Sequence, residues 1–110
     1  MPRNVLFICG KNRLRSPTAE HLFADWPGVE TASAGLNNDA DNPVGPDLLQ
    51  WADLIFVMEP SHRSKLSSKF KSHIGSKPIV CLGIPDNYEY MAPDLVKLLT
   101  DKVVRHLPNS

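Results

Sequence analysis

Three short apolar runs stand out along the chain: Asn4 to Cys9 (NVLFIC), Asp53 to Met58 (DLIFVM) and Lys77 to Leu82 (KPIVCL). None alternates with polar residues over its length; the first two predict strands covered on both faces, and the third predicts a further strand. Val29 to Ser33 predicts a shorter strand. Between the first run and this strand the period changes. Ala19, Leu22, Phe23 and Trp26 fall at i, i+3, i+4 and i+7, one face of a helix over Ser16 to Trp26. Ser16 suits its N-cap, Pro17 its first position, and Pro27-Gly28 its end. Ala34 to Pro46, rich in Asn, Asp, Gly and Pro, predicts a loop, and a helical turn follows over Asp47 to Trp51. Pro60 to Phe70 predicts a weakly amphipathic helix. Leu95, Leu98, Leu99, Val103 and Leu107 form the apolar side of a last one.

Strands alternating with helices predict an α/β fold: an open parallel sheet with helices on both faces and right-handed crossovers. No repeat or low-complexity tract interrupts the pattern. The 110 residues suit one domain, 1–110, with a single core. In such sheets ligands sit beyond the carboxyl ends of the strands. The loop after the first strand, which begins with Cys9, is therefore the first candidate site.

Composition narrows the function classes. With 12 basic and 12 acidic residues, no global field favours nucleic acid or a membrane surface, so an anion site has to be local. The apolar run near the N-terminus, Val5 to Cys9, is too short for a signal-peptide core, and nothing approaches a membrane span. A soluble, reducing, cytoplasmic setting is expected, where a disulfide between Cys9 and Cys81 is disfavoured. The four histidines (His21, His62, His73, His106) lack zinc-type spacing and read as surface or capping residues. No metal or organic cofactor is expected.

The chemistry concentrates in Cys9-Gly10-Lys11-Asn12-Arg13-Leu14-Arg15-Ser16. Given this composition, a Cys followed six positions later by Arg and then Ser or Thr arises by chance about one time in a hundred. Five intervening residues allow the backbone to curl into a cradle of inward N–H groups, to which the following helix adds its positive end. Arg15 offers a planar fork for two phosphate oxygens. The same donors would stabilise a thiolate, lowering the Cys9 pKa, with the Ser16 hydroxyl helping. A cation at a positive helix end is unfavourable alone, which points to an anion meeting it. Lys11 and Arg13 read equally as phosphate steering or as plain surface charge. Gly10-Lys11 lacks the upstream Gly and the following Ser/Thr of a nucleoside-triphosphate loop.

The segment VLFICGKNRLRSPTAEHLF resembles the start of the low-molecular-weight protein tyrosine phosphatases: a strand, Cys-x5-Arg-Ser-Pro, then a helix. Ser33-Ala34-Gly35, Trp51 to Glu59 and Pro85-Asp86-Asn87-Tyr88 continue the likeness over most of the chain. The resemblance implies a four-stranded parallel sheet of order 2-1-3-4. It implies Cys9 as nucleophile, Arg15 as phosphate clamp and Asp86 as general acid. The loop residues Gly10, Lys11, Asn12, Arg13, Leu14 and Ser16 would hold phosphate. Asn12 would brace the loop against Ser16 and Ser33, and Tyr88 and Tyr90 would line the pocket rim. Read without the family, Asp86, before Asn in a Pro-flanked loop, is usually a turn former, and both tyrosines read equally as packing residues. The implied substrate is a phosphorylated protein or a small aryl phosphate, with inorganic phosphate or another oxyanion held in the loop.

The chain departs from the family pattern in four places. Leu14 stands where a second cysteine is usual, and Lys11 where a glycine is. The region between Gly35 and Trp51 is short, and no aromatic wall residue occurs in Leu36-Asn37-Asn38-Asp39. The pocket is expected to be open on that side. Two other activities fit parts of the pattern: an arsenate reductase relaying a disulfide through Cys81, and a phosphate-binding module without turnover.

Overall fold

In the computed structural model, which describes residues 3–10, 14–37, 39–75, 77–85 and 87–107, the three apolar runs become strands of one sheet, NVLFIC and DLIFVM in its interior and KPIVCL at one edge, where its strand residues are only half-buried. The elements are β1 (Arg3–Cys9), α1 (Arg15–Phe23), β2 (Val29–Gly35), α2 (Pro46–Trp51), β3 (Leu54–Val57), α3 (Pro60–Ile74), β4 (Ile79–Cys81) and α4 (Pro93–Val103), closed by a 3₁₀ turn over Val104–His106. The strand order is β2-β1-β3-β4, and every pairing is parallel, as expected.

Side-chain alternation divides the core between two faces. Val5, Phe7 and Cys9 of β1 join Leu54, Phe56 and Met58 under α1 and α4, where Ala19, Phe23, Leu95, Leu99 and Val103 cover them. Leu6 and Ile8 join Ile55 and Val57 on the other face, under Leu49 of α2 and Leu66 and Ile74 of α3. Phe7 stacks on Phe56 at 5.3 Å and on Phe23 at 6.0 Å. Fully burying each such ring stabilises the fold by about 1.5–3 kcal/mol. The four strands run the same way, so Cys9, Gly35, Val57 and Cys81 all end at one edge.

Several boundaries move. α1 ends at Phe23, and Trp26 lies beyond it, edge-on to Phe23 at 6.0 Å. Ser16 is not the N-cap: Leu14 holds that position without a side-chain cap bond, because the Ser16 hydroxyl is drawn to Cys9. Pro17 consequently sits two positions deeper, as the third helical residue, where a missing N–H still costs no helical bond. β2 continues through Ala34 and Gly35, which pair with Ile8 and Cys9. Pro46 belongs to α2 rather than to the preceding loop. β3 and β4 are each shorter than their apolar runs.

α3 extends to Ile74 through a break at Phe70 (φ −130°, ψ 28°). Leu66, Phe70 and Ile74, spaced by four, hold that extension to the sheet. Gly75 then ends it at φ 57°, a backbone angle that favours glycine. The final helix starts at Pro93, ahead of Leu95.

Candidate active site

β1 delivers Cys9 to the face covered by α1, and the thiol is only 3% exposed. Its Sγ lies 2.9 Å from Ser16 Oγ in the first turn of α1. The β1–β2 ladder continues past the strand ends: Leu36 N–H donates to the Cys9 carbonyl at 3.0 Å and Asn37 N–H to the Gly10 carbonyl at 2.9 Å. Leu14 closes the far side of the loop. Its carbonyl accepts from Thr18 N–H at 3.1 Å and from the Thr18 hydroxyl at 2.6 Å. Lys11, Asn12 and Arg13, expected to line the cradle, lie outside the described residues.

Arg15 opens α1 and is 4% exposed. One terminal nitrogen donates to Glu59 Oε2 and to the Ile84 carbonyl, both at 2.7 Å. These two bonds fix the guanidinium plane from the β3 and β4 sides. They also offset the cost of burying a cation at a positive helix end. The Arg15 hydrogen bond and charge hold the Glu59 carboxyl below the usual carboxylate range, against an opposing push from burial. Glu59 caps α3 as well. Its side chain accepts from His62 N–H, while His62 Nδ1 accepts from Glu59 N–H at 3.2 Å. His62 is therefore a cap, and a buried one.

The segment from Ile84 to Met91 is tied to α1 near both ends. Ile84 N–H donates to the Met58 carbonyl at 2.8 Å, and its own carbonyl accepts from Arg15. Met91, at φ 59°, donates its N–H to Thr18 Oγ1 at 3.0 Å. Asp86, the expected acid, lies between these ties but outside the described residues. Tyr88 is half-buried against the Phe7 side of the core. Tyr90 is 48% exposed and lines a groove with Pro17, Glu20 and His21 of α1. Ser33 donates its hydroxyl to Glu20, and its carbonyl accepts from Asn42 Nδ2 at 2.7 Å. Its expected partner Asn12 is not described.

The structure thus brings Cys9, Gly10, Leu14, Arg15 and Ser16 together at the start of α1. Two contributors escape a reading of the loop alone: Glu59 and Thr18. Glu59 was signalled by an acid directly after a buried strand adjacent to that of Cys9. Thr18 carried no such signal, since a threonine in a first helical turn is ordinary.

The two cysteines stand apart. Val57 pairs with both Ile8 and Cys81, so Cys81 lies two strands from β1, and its side chain belongs to the opposite face. With parallel strands about 4.8 Å apart, the Cα atoms of Cys9 and Cys81 are roughly 10 Å apart, beyond the reach of a disulfide. A direct relay between them is excluded without movement of the sheet. Among the described residues, no group of three or more His, Cys, Asp or Glu could hold a metal ion, and no helix is long and apolar enough to cross a membrane.

No family model matches the chain, and no curated protein matches it by sequence. Solved structures do. The tyrosine phosphatase Wzb from Escherichia coli K30, in complex with phosphate, superimposes with a TM-score of 0.77 at 26% identity, covering 96% of each chain. A low-molecular-weight protein tyrosine phosphatase from T. tengcongensis gives 0.72 at 25% identity, over 96% of this chain and 99% of its own. The YwlE arginine phosphatase from Geobacillus stearothermophilus gives 0.68 at 20% identity, over 99% of this chain and 100% of its own, a likeness of fold alone.

Proposed function

We infer that this chain, which shares the fold of the low-molecular-weight tyrosine phosphatases, hydrolyses phosphotyrosine or other aryl phosphate monoesters through a phosphocysteine intermediate. The observation that carries this reading is the contact of Cys9 Sγ with Ser16 Oγ at 2.9 Å, beside the anchored Arg15. A phosphate-binding module needs the guanidinium and the loop amides. It does not need a thiol at the floor of the loop with a hydroxyl aimed at it.

In this reading the loop amides from Gly10 to Ser16 and the Arg15 fork bind the three phosphoryl oxygens. Cys9 attacks phosphorus in line; the S–P bond forms as the ester P–O bond breaks. Asp86 gives its proton to the departing phenolate. The resulting carboxylate then takes a proton from water as the water oxygen attacks phosphorus. The S–P bond breaks, inorganic phosphate leaves, and the Ser16 hydroxyl stabilises the returning thiolate. The transferring group is loosely bonded at the transition state, so positioned charge supplies most of the acceleration. No redox partner or cofactor enters this balance. The Cys9 sulfur has to remain reduced, which suits a reducing, cytoplasmic setting.

The test compares wild type and Cys9→Ser on a chromogenic aryl phosphate, with rapid-quench mass spectrometry of the protein. Wild type should turn over and carry a transient phosphoryl group on Cys9. Full turnover by the serine variant would remove the nucleophile. Phosphotyrosine, phosphoserine, phosphoarginine and arsenate assayed side by side then assign the substrate class.

A further inference from the structure

Charge is unevenly spread along this formally neutral chain. Five of the twelve basic side chains, Arg63, Lys65, Lys69, Lys71 and Lys77, fall between Glu59 and Asp86, and no acidic residue does. Lys77 is committed structurally, its ammonium donating to the Leu49 and Gln50 carbonyls at the end of α2. The others project from α3 into solvent. Lys65 and Lys69 are one helical turn apart, a spacing at which like charges repel. Among the described residues neither forms an ion pair, and Lys69 makes only a long 3.5 Å bond to the Leu36 carbonyl.

These two lysines face a cavity. With Leu36, Asn37 and Ser68 they line an open space of about 450 Å³. The cavity shares a wall with the candidate reaction loop. Leu36 and Asn37 donate their N–H groups to the Cys9 and Gly10 carbonyls, and the Asn37 amide lies 3.5 Å from where a Gly10 Cβ would stand. This is also the side on which the chain lacks an aromatic wall. An opening beside the loop, bordered by two unpaired cations and two neutral hydrogen-bonding side chains, matches an extended polyanion entering alongside a phosphoryl group.

We propose that this cavity binds acidic side chains flanking the phosphorylated residue of a protein substrate, so that the enzyme prefers acidic phosphopeptides. The proposal rests on the phosphatase reading above and adds the substrate class. Carboxylates would bridge Lys65 and Lys69, with Asn37 and Ser68 donating to the remaining oxygens. Two solvent-exposed charge contacts correspond to roughly tenfold in affinity at low salt, falling as salt screens them.

The experiment uses two phosphotyrosine peptides, one with glutamates and one with glutamines on both sides, and a small aryl phosphate as reference. Each is assayed on wild type, Lys65→Gln/Lys69→Gln and Lys65→Arg/Lys69→Arg. Wild type should favour the glutamate peptide by roughly tenfold in kcat/KM, expressed in KM, with the margin shrinking in high salt. The arginine variant should keep the preference and the glutamine variant lose it. Equal rates for the two peptides in wild type, or a preference that survives in the glutamine variant, overturns the cavity's role while aryl phosphate turnover stands. Should wild type fail on aryl phosphate, the phosphatase reading falls instead. Equilibrium binding of the same two peptides then decides the cavity by the same comparison.

Discussion

Arg15 and Glu59, 44 positions apart in the sequence, meet at 2.7 Å, and the bond turns the end of β3 into a support for the first residue of α1. Glu59 touches no expected substrate atom, so it is a positioning residue for Arg15. Glu59→Gln keeps an acceptor but removes the charge. It should lower kcat/KM for aryl phosphate by about ten- to a hundredfold, the usual cost of a misplaced catalytic group. Weaker inhibition by inorganic phosphate should accompany the loss, and Glu59→Asp should recover part of it. Unchanged phosphate inhibition in Glu59→Gln would mean that Arg15 is held well enough by the Ile84 carbonyl alone.

The same pair sets a pH dependence. Glu59 has a lowered pKa in the folded protein, chiefly through the Arg15 hydrogen bond. Its contribution to stability is therefore complete above the ordinary carboxylate value, near 4.5, and is lost as pH falls through the lower folded value. Because its side chain is 37% exposed, solvent screening keeps the contribution modest. Thermal unfolding of wild type and Glu59→Gln between pH 7 and pH 3 tests this. The wild-type lead in Tm should be constant at the upper end and shrink below about pH 4.5. A lead that persists unchanged into strong acid would contradict the assigned shift.

Thr18 joins two loops through a single hydroxyl, which accepts from Met91 N–H at 3.0 Å while donating to the Leu14 carbonyl. The segment carrying Asp86 and Tyr88 is thereby tied to the turn that carries Cys9's partners. Thr18→Val preserves shape and removes both bonds. A lost buried hydrogen bond costs about 0.5–1.5 kcal/mol, so kcat/KM should fall roughly three- to tenfold. If the tie positions the acid, the loss should grow with the pKa of the leaving phenol, and Thr18→Ser should restore the wild-type slope. Equal losses across leaving groups would leave Thr18 a purely structural residue.

Much of this was legible in the residues themselves. The runs NVLFIC and DLIFVM are too apolar to be anything but interior strands, and they became β1 and β3, while KPIVCL became the half-buried edge strand β4. The meeting of Cys9 with Arg15 and Ser16 followed from a strand, a short loop and a helix start. The Ser16 cap misled because a serine beside a helix start ordinarily bonds backbone N–H, and a nearby thiol competes for the same hydroxyl. The end of α3 was hidden by Lys69, Lys71, Ser72 and His73, which mask the spacing of Leu66, Phe70 and Ile74. Glu59 and Thr18 act across long sequence separations, which local patterns do not encode.

The α4 side of the core offers a stability check independent of the chemistry. Leu99 is fully buried among residues that include Phe56 and Val103. Leu99→Ala should cost about 2–5 kcal/mol through lost transfer energy and the cavity left behind. In a domain of this size each kcal/mol shifts Tm by roughly 4–8 °C, so calorimetry should show a drop of 10 °C or more. Surface Lys97→Ala on the same helix should leave Tm nearly unchanged.

Ser16 and Cys9 supply the last and most discriminating variant. At 2.9 Å either atom can be the donor, so the hydroxyl can stabilise a thiolate without altering the fold. In the proposed reaction the sulfur is a leaving group only in the second half, when water opens the phosphoenzyme. Ser16→Ala should therefore slow that half by about 10–100-fold, the range set by a lost donor to a charged group. Turnover of an activated aryl phosphate should then begin with a stoichiometric burst of phenol, followed by a slow steady state, and phosphoryl-Cys9 should accumulate. A uniform slowing without a burst would shift the role of Ser16 to the first step, where it would assist attack rather than departure.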